Sequence, residues 1–297
     1  MIFIIFNLLI YEYLILVNYL NMKRILLTTD FSENANQAID YAMQLFKYDD
    51  CQFYILHVLK ASTFISDDLM TMTPSSNLYE QLIASAKLKL ENYIKTFKLK
   101  YNNILHEFIP IVDYDSFIAA VNQVGEKEGI ELIVMGTKGA SNAAKRFLGT
   151  NTIHVIQGCS IPVLAIPNVC SFKPIHKVVF TSNYDVDYSL NDLKALVYLV
   201  EHHDYKIDVL HLSETKKLTT EQEAVKTSLK KCFKNATHQF IELEKEGFLK
   251  TITKYINTNN IDLYAMVNRK YGFWERFFTH QKIEEVAYNM TIPFLVM

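Results

Sequence analysis

An excess of either charge is missing from this chain. Its 30 basic and 32 acidic residues leave a formal net charge of −2, and the two signs are interspersed. Binding to a phosphate backbone draws on clustered Lys and Arg, so the charge pattern gives no reason to expect nucleic acid. Cysteine frameworks are missing as well. Cys51, Cys159, Cys170 and Cys232 form no C-x-x-C pair, and no histidine lies near them at metal-ligand spacing. Spacing therefore argues against a disulfide scaffold and a zinc site, and no metal is assigned. Reduced, mostly buried thiols in a cytoplasmic protein are the expectation. The nine histidines are scattered, and the adjacent pair His202–His203 falls in a polar stretch that reads as loop. No Ser/His/Asp set or carboxylate pair stands out for general acid–base work, so no catalytic residue is assigned.

What is present is ordinary globular composition: 50% apolar and 21% charged over 297 residues. That length corresponds to roughly two domains at about 100–200 residues each. Residues 1–21 stand apart as an apolar extension about as long as a membrane span. They contain Glu12, Asn7 and Asn18 and lack the basic start and small-residue cleavage site of a secretory signal. Met22 then opens MKRILLTTDFS, which reads as a natural domain start. Three readings stay open: a mis-called start with Met22 as the first residue, a weak membrane anchor followed by Lys23 and Arg24 on the cytoplasmic side, or a part of the fold.

The remainder is an internal repeat. IELIVMGTKGASNAAKRFLGTNTIHVIQGCSIPVLAI, from Ile130, aligns without a gap to IDLYAMVNRKYGFWERFFTHQKIEEVAYNMTIPFLVM, from Ile261, at an offset of 131. RILLTTDFS from Arg24 matches KVVFTSNYD from Lys177 at 153, and His57 matches His211 at 154. The second copy has thus lost about 23 residues between those landmarks. The simplest site for the loss is the polar stretch near 62–77, which reads as a long loop. In the first copy, short apolar runs at 25–28, 53–58, 105–111, 132–135 and 163–166 alternate with helical periodicity at 34–46, 78–98, 116–128 and 142–157. Continuous apolar strands between amphipathic helices imply a parallel sheet covered on both faces, with right-handed crossovers. The domain boundary is expected near 168–174, giving a first domain at 22–172 and a second at 173–297.

The chemistry-bearing motif follows the run at 132–135. Gly136-Thr-Lys-Gly139 is followed after nine residues by Gly149-Thr150-Asn151-Thr152. Glycines at a strand's carboxyl end let the backbone turn and approach a ligand closely. Thr150 and Thr152 stand where a helix turn can offer N–H and O–H donors to phosphate. In open parallel sheets ligands bind beyond the carboxyl ends of the strands, where Asp30 would also face. The loop is neither a Walker A motif nor G-x-G-x-x-G.

The pattern G-x-x-G-x9-G-[ST] before a final strand carrying Pro162–Val163 resembles the nucleotide-binding signature of the universal stress protein family. So do TTDFSENA at 28–35 and LHV at 56–58. The resemblance covers 22–168 and, more faintly, 175–297. It implies two tandem α/β, Rossmann-like domains of the adenine nucleotide alpha-hydrolase-like type, each an open five-stranded parallel sheet. It also implies ATP binding in some members, dimerisation through the last strand and no established catalytic triad. Carried over by position, adenine and ribose contacts fall on Thr28, Thr29, Asp30 and Val58. Phosphate contacts fall on Gly136, Gly139, Gly149, Thr150 and Thr152, with Asn151 contributing through its backbone. The family's Gly-x-Pro after the fourth strand is replaced by Asp113-Tyr114-Asp115. Carboxylates there disfavour a triphosphate unless they face solvent or bind Mg²⁺.

The second copy departs at the ligand positions. Asp30 is matched by Asn183, Gly136 by Val267, Gly139 by Lys270, Gly149 by His280 and Thr150 by Gln281. Its sheet hydrophobics remain, so it reads as a degenerate domain kept for packing. His57 and His211 read as structural hydrogen-bonders. The aromatic run 271–278, with Trp274, reads as core or interface. Lys145 and Arg276 read as exposed helix cations, with Lys145 in reach of phosphate. The expected function is a stress-response or regulatory protein binding one ATP per chain in its first domain, at most hydrolysing it slowly. The alternative is a protein-interaction module that keeps the fold without nucleotide. The last strands, 163–166 and 294–297, are expected to pair as an intramolecular pseudo-dimer, with a further homodimer left open.

Overall fold

A computed structural model describes residues 23–59, 76–137, 150–185, 188–213, 217–233, 235–242, 247–267 and 290–297. The extension 1–21, Gly139, Gly149, Lys145 and the stretch 268–289 with Lys270, Trp274, His280 and Gln281 therefore lie outside the described residues. Ten strands form one sheet in the order β3-β2-β1-β4-β5-β10-β9-β6-β7-β8. The first half comprises β1 (Lys23–Thr28), β2 (Cys51–Val58), β3 (His106–Asp113), β4 (Leu132–Gly136) and β5 (Val163–Ile166). The second comprises β6 (Lys177–Thr181), β7 (Lys206–Ser213), β8 (Thr237–Glu242), β9 (Leu263–Met266) and β10 (Phe294–Val296). Read outward from the centre, each half repeats the same order: last strand, fourth, first, second, third.

Within each half every pairing is parallel. The central β5–β10 pairing is antiparallel, with Phe294 opposite Ala165, Leu295 opposite Leu164 and Val296 opposite Val163. An apolar strand left at an edge presents unpaired backbone groups. Here each last strand supplies the other's partner. The two halves are thereby related by an approximate two-fold axis, and the last strand of each is buried throughout.

Side chains alternate across the sheet, so each strand feeds two cores. Ile25 and Leu27 of β1 join one cluster and Leu26 the other. On the first face lie α1 (Glu33–Leu45) and α2 (Ser76–Tyr101), through Ala38, Ala42, Leu90 and Ile94. On the opposite face lie α3 (Phe117–Glu128) and α4 (Thr150–Gly158), through Val121, Val124, Ile153 and Ile156. Ser32 starts α1 by accepting from the Ala35 N–H, and Ser116 caps α3 in the same way through Ala119. Gly129 ends α3 in the left-handed region at φ 62°, which glycine adopts without a Cβ penalty.

The second half has α5 (Lys194–Val197), continued by a π-helical turn at Tyr198–His202, then α6 (Thr220–Cys232) and α7 (Phe248–Asn259). The missing residues do not come from the polar loop alone. The helix between the second and third strands has 26 residues in the first half and 13 in the second. A shorter helix still covers its strand because only two of its residues, Val225 and Leu229, need burial. Among the described residues no helix is long and apolar enough to cross a membrane.

The first-face core runs unbroken across the seam, since Leu164 and Leu295 belong to the same cluster as Leu27 and Phe180. Leu295→Ala is expected to destabilise the whole chain by about 2–5 kcal/mol, because the side chain is fully buried at the central pair. A urea titration should show a lower midpoint in one cooperative transition. An unchanged midpoint would mean that the seam contributes no stability.

Candidate functional site

In the first half the sheet reverses direction of growth between β1 and β4, with β2 and β3 added on one side and β5 on the other. Ligands of open parallel sheets bind in the crevice beyond the strands' carboxyl ends at such a point. Thr28 ends β1, Gly136 ends β4, and Thr29 and Asp30 follow β1 into this crevice. Thr28 and Thr29 are buried, whereas Asp30 is exposed. Asp30 Oδ1 accepts the Ser32 N–H at 3.0 Å, which turns the chain into α1. Thr29 Oγ1 accepts the Phe31 N–H at 3.0 Å and donates to Tyr93 Oη at 3.4 Å. Tyr93 in turn donates to Asn36 Oδ1. Burial pushes the Tyr93 phenol up to about 12, so it stays a protonated donor.

Gly136 has a packing reason for its missing side chain. A Cβ there would stand 2.8 Å from the backbone oxygen of Asn34, in the first turn of α1. Close approach is thus required by the protein's own helix as well as by any ligand. Thr150 and Asn151, where the described part of α4 begins, are exposed. Thr152 is buried, and its hydroxyl donates to Gly136 O at 2.8 Å. That bond fixes α4 against the end of β4. It also commits the Thr152 hydroxyl proton to the protein itself.

Val58 sits half-buried at the end of β2, on the other side of β1, level with Asp113. Asp113 Oδ1 accepts from the backbone N–H groups of Tyr114 and Asp115 at 2.6 and 2.9 Å. Asp115 accepts from Ser116 N at 2.6 Å and from Gln123 Nε2 at 3.2 Å. Both carboxylates therefore serve the turn into α3. The structure brings Thr28, Thr29, Asp30, Gly136, Thr150, Asn151 and Thr152 to the β1/β4 end of the sheet, with Val58 flanking them.

Phe31, Tyr93 and Lys89, not expected from the sequence, also line this end, beside His57, which the sequence reads as a structural hydrogen-bonder. Phe31 has a left-handed backbone, φ 63°, which turns its ring onto His57 at 4.5 Å and Tyr93 at 5.1 Å. The Lys89 ammonium lies 4.0 Å above the Phe31 ring. The signal that could have found Phe31 was the repeat itself, which places an aromatic at both 31 and 184. His57 Nδ1 donates to Thr29 O at 2.9 Å, and burial holds its pKa below the usual histidine value. The imidazole is thus a neutral brace for the β1 turn.

The equivalent end of the second half is filled by its own side chains. Ser182, Asn183 and Tyr184 are each buried to 2% exposure or less. Tyr184 repeats the left-handed turn at φ 60°, and its ring stacks on His211 at 4.8 Å with planes 10° apart. The Tyr184 hydroxyl hydrogen-bonds His238 Nδ1 at 3.0 Å, and Ser182 Oγ bonds Tyr188 Oη at 3.0 Å. Gln222 crosses the opening to the Asn183 carbonyl at 3.2 Å and Asp185 Oδ1 at 2.7 Å. Val267, in the place of Gly136, packs against the core.

The comparisons with known proteins agree with this geometry. A family model described as the universal stress protein family matches residues 21–167. Universal stress protein MJ0577 of Methanocaldococcus jannaschii is 26% identical over 159 residues, covering 48% of this chain and 94% of the relative. Universal stress protein MJ0531 of the same organism is 26% identical over 148 residues, covering 48% and 81%. A solved universal stress protein structure from Archaeoglobus fulgidus superposes with a TM-score of 0.61 at 17% identity. It covers 92% of this chain and 95% of its own, and at that identity the likeness bears on the fold alone.

Two outcomes follow from the packing at these strand ends. Gly136→Ala should cost about 1–3 kcal/mol without any ligand present, because the Asn34 backbone must move. A urea midpoint equal to the parent's would remove the packing reason for this glycine. Burial and the nearby Lys230 and Lys226 hold His238 at about 4, below the ordinary value of about 6.5. The folded state therefore prefers the neutral ring, and its contribution is complete above about pH 6.5 and lost as pH falls toward about 4. His238→Gln keeps a hydrogen-bonding side chain for Tyr184 and should flatten the fall in urea midpoint across that window. An equal pH dependence in parent and variant would show that His238 does not carry it.

Proposed function

Residues 21–167 make this chain a member of the universal stress protein family, and we propose that it is an adenine-nucleotide-binding protein of the stress-response or regulatory kind whose first half holds ATP. The observation that carries this reading is the contrast between equivalent positions at the two strand ends. Asp30 is exposed beyond β1, whereas its counterpart Asn183 is 2% exposed beneath Tyr184 and Gln222.

The donor set suits an adenine nucleotide. Asp30 is an acceptor placed for ribose hydroxyls. Thr150 and Asn151 are exposed where the described part of α4 begins, beside the end of β4, and supply the polar groups for phosphate in this reading. Gly136 belongs to the same end, and Gly139 and Gly149, beyond the described residues, complete the proposed phosphate loop. Bound nucleotide would supply the negative charge these donors lack. Mg²⁺ would enter with the phosphates, and Asp113 and Asp115, engaged with their own turn, do not supply its ligands. The two halves act as an intramolecular pseudo-dimer, with domains at 22–172 and 173–297. In that arrangement the second half supports the first and takes no nucleotide.

A second reading is favoured by one observation. Gly136 is already required by Asn34, so its presence alone does not demand a ligand, and a protein-interaction module would keep it too. Calorimetry of the full chain separates the two. ATP should bind at one site per chain, and Asp30→Ala should weaken it about tenfold through loss of a hydrogen-bonded ribose contact. No ATP binding by the parent would favour the interaction module. Binding at full strength by the variant would show that Asp30 is misassigned.

A further inference from the structure

At the opposite end of the sheet from the crevice, the two halves meet through side chains separated by 153 residues in sequence. Asp49 lies in the turn between α1 and β2, and its carboxylate is 1% exposed. His202 ends the π-helical turn of the second half and His203 follows it. His202 Nε2 stands 2.8 Å from Asp49 Oδ1, and His203 Nε2 stands 3.3 Å from Asp49 Oδ2. One ligand atom from each of the three residues can be chosen so that all lie within 4.8 Å of one another.

We propose that Asp49, His202 and His203 form a binding site for one divalent transition-metal ion of the Zn²⁺ class, clasping the two halves of the chain together. Two imidazole nitrogens and a carboxylate are a donor set such ions favour, with a solvent ligand in the fourth position. Atoms sharing an ion at about 2.1 Å can be at most about 4.2 Å apart. Both histidine–carboxylate separations meet that limit. The His202 side chain is 37% exposed, so the ring can adjust and the outer face stays open to water.

The polar groups are unbalanced without an ion. Asp49 Oδ2 and His203 Nε2 are both buried and face each other at 3.3 Å without the geometry of a completed hydrogen bond. Buried polar atoms are ordinarily satisfied, and leaving a carboxylate oxygen unmet is costly. The surroundings fix the ligands in place. Tyr198 stacks on His202 at 4.8 Å and Tyr205 on His203 at 5.3 Å. The Lys23 ammonium is occupied over the Tyr198 ring at 4.2 Å, and burial lowers its pKa. A π-helical turn just before the ligands is a recurrent feature of functional sites.

The test uses the full chain, freed of tags and chelated metal, titrated with Co²⁺ at neutral pH. The expected result is visible d–d absorption of tetrahedral intensity that saturates at one equivalent and is bleached by Zn²⁺. Zn²⁺ should also raise Tm, as any ligand confined to the folded state does. His202→Ala, at a partly exposed position that folding tolerates, should lose both effects, and Asp49→Asn should lose the absorption. Absence of a one-equivalent signal in the parent would overturn the site and leave a hydrogen-bonded ion pair only. An undiminished signal in His202→Ala would place the metal elsewhere and overturn it equally.

Discussion

The antiparallel pairing of β5 with β10 is the contact on which the architecture depends. Each half is an open parallel sheet whose last strand would otherwise expose a row of backbone donors and acceptors. Joining the two last strands removes both edges at once and merges two moderate cores into one that runs through Leu164 and Leu295. The two-fold relation follows from the pairing, and so does the opposition of the halves across the seam. The same relation brings α5 and its π-helical continuation over the amino end of β1. There Tyr198 meets Lys23, Lys194 meets Glu131 at 2.6 Å, and His202 meets Asp49.

Within that shared frame the two strand-end crevices have diverged by simple means. Both keep the left-handed turn after the first strand, and both set an aromatic ring against a histidine braced on the strand-end backbone. In the first half Phe31 remains half-buried and Asp30 reaches solvent. In the second, tyrosine and asparagine fill the equivalent volume and hydrogen-bond to His238 and Gln222. In the second half side chains fill the strand end and hydrogen-bond one another, although His238 Nε2 stays buried without a partner. Val267 in place of Gly136 belongs to the same exchange, adding apolar contact where the first half has only backbone.

Much of this was legible in the residues. The repeat offsets fixed which segments correspond, and apolar runs between amphipathic helices gave the parallel strands because burial on both faces leaves no polar alternation. The β5–β10 pairing could be anticipated from the need to satisfy an apolar terminal strand. Less accessible were effects that depend on approach in space. That Gly136 faces the Asn34 backbone, and that the Thr152 hydroxyl is used by Gly136, cannot be read from spacing, because both involve segments distant in the chain. The sequence places the shortening of the second half in its loop, while the helix is shorter too, since helical periodicity does not reveal how much of a helix its strand needs. The His202–His203 pair read as polar loop because Asp49, which gives it meaning, lies in the other half.

The central claim is that nucleotide engages one half of a two-fold frame. Hydrogen exchange of the full chain with and without ATP tests it most directly, because it reports each strand end separately. The account predicts slowed exchange around 28–36, 136–137 and 150–153, with no change at 181–185 or 264–267. Protection in the second group equal to that in the first, or in the second alone, would contradict it.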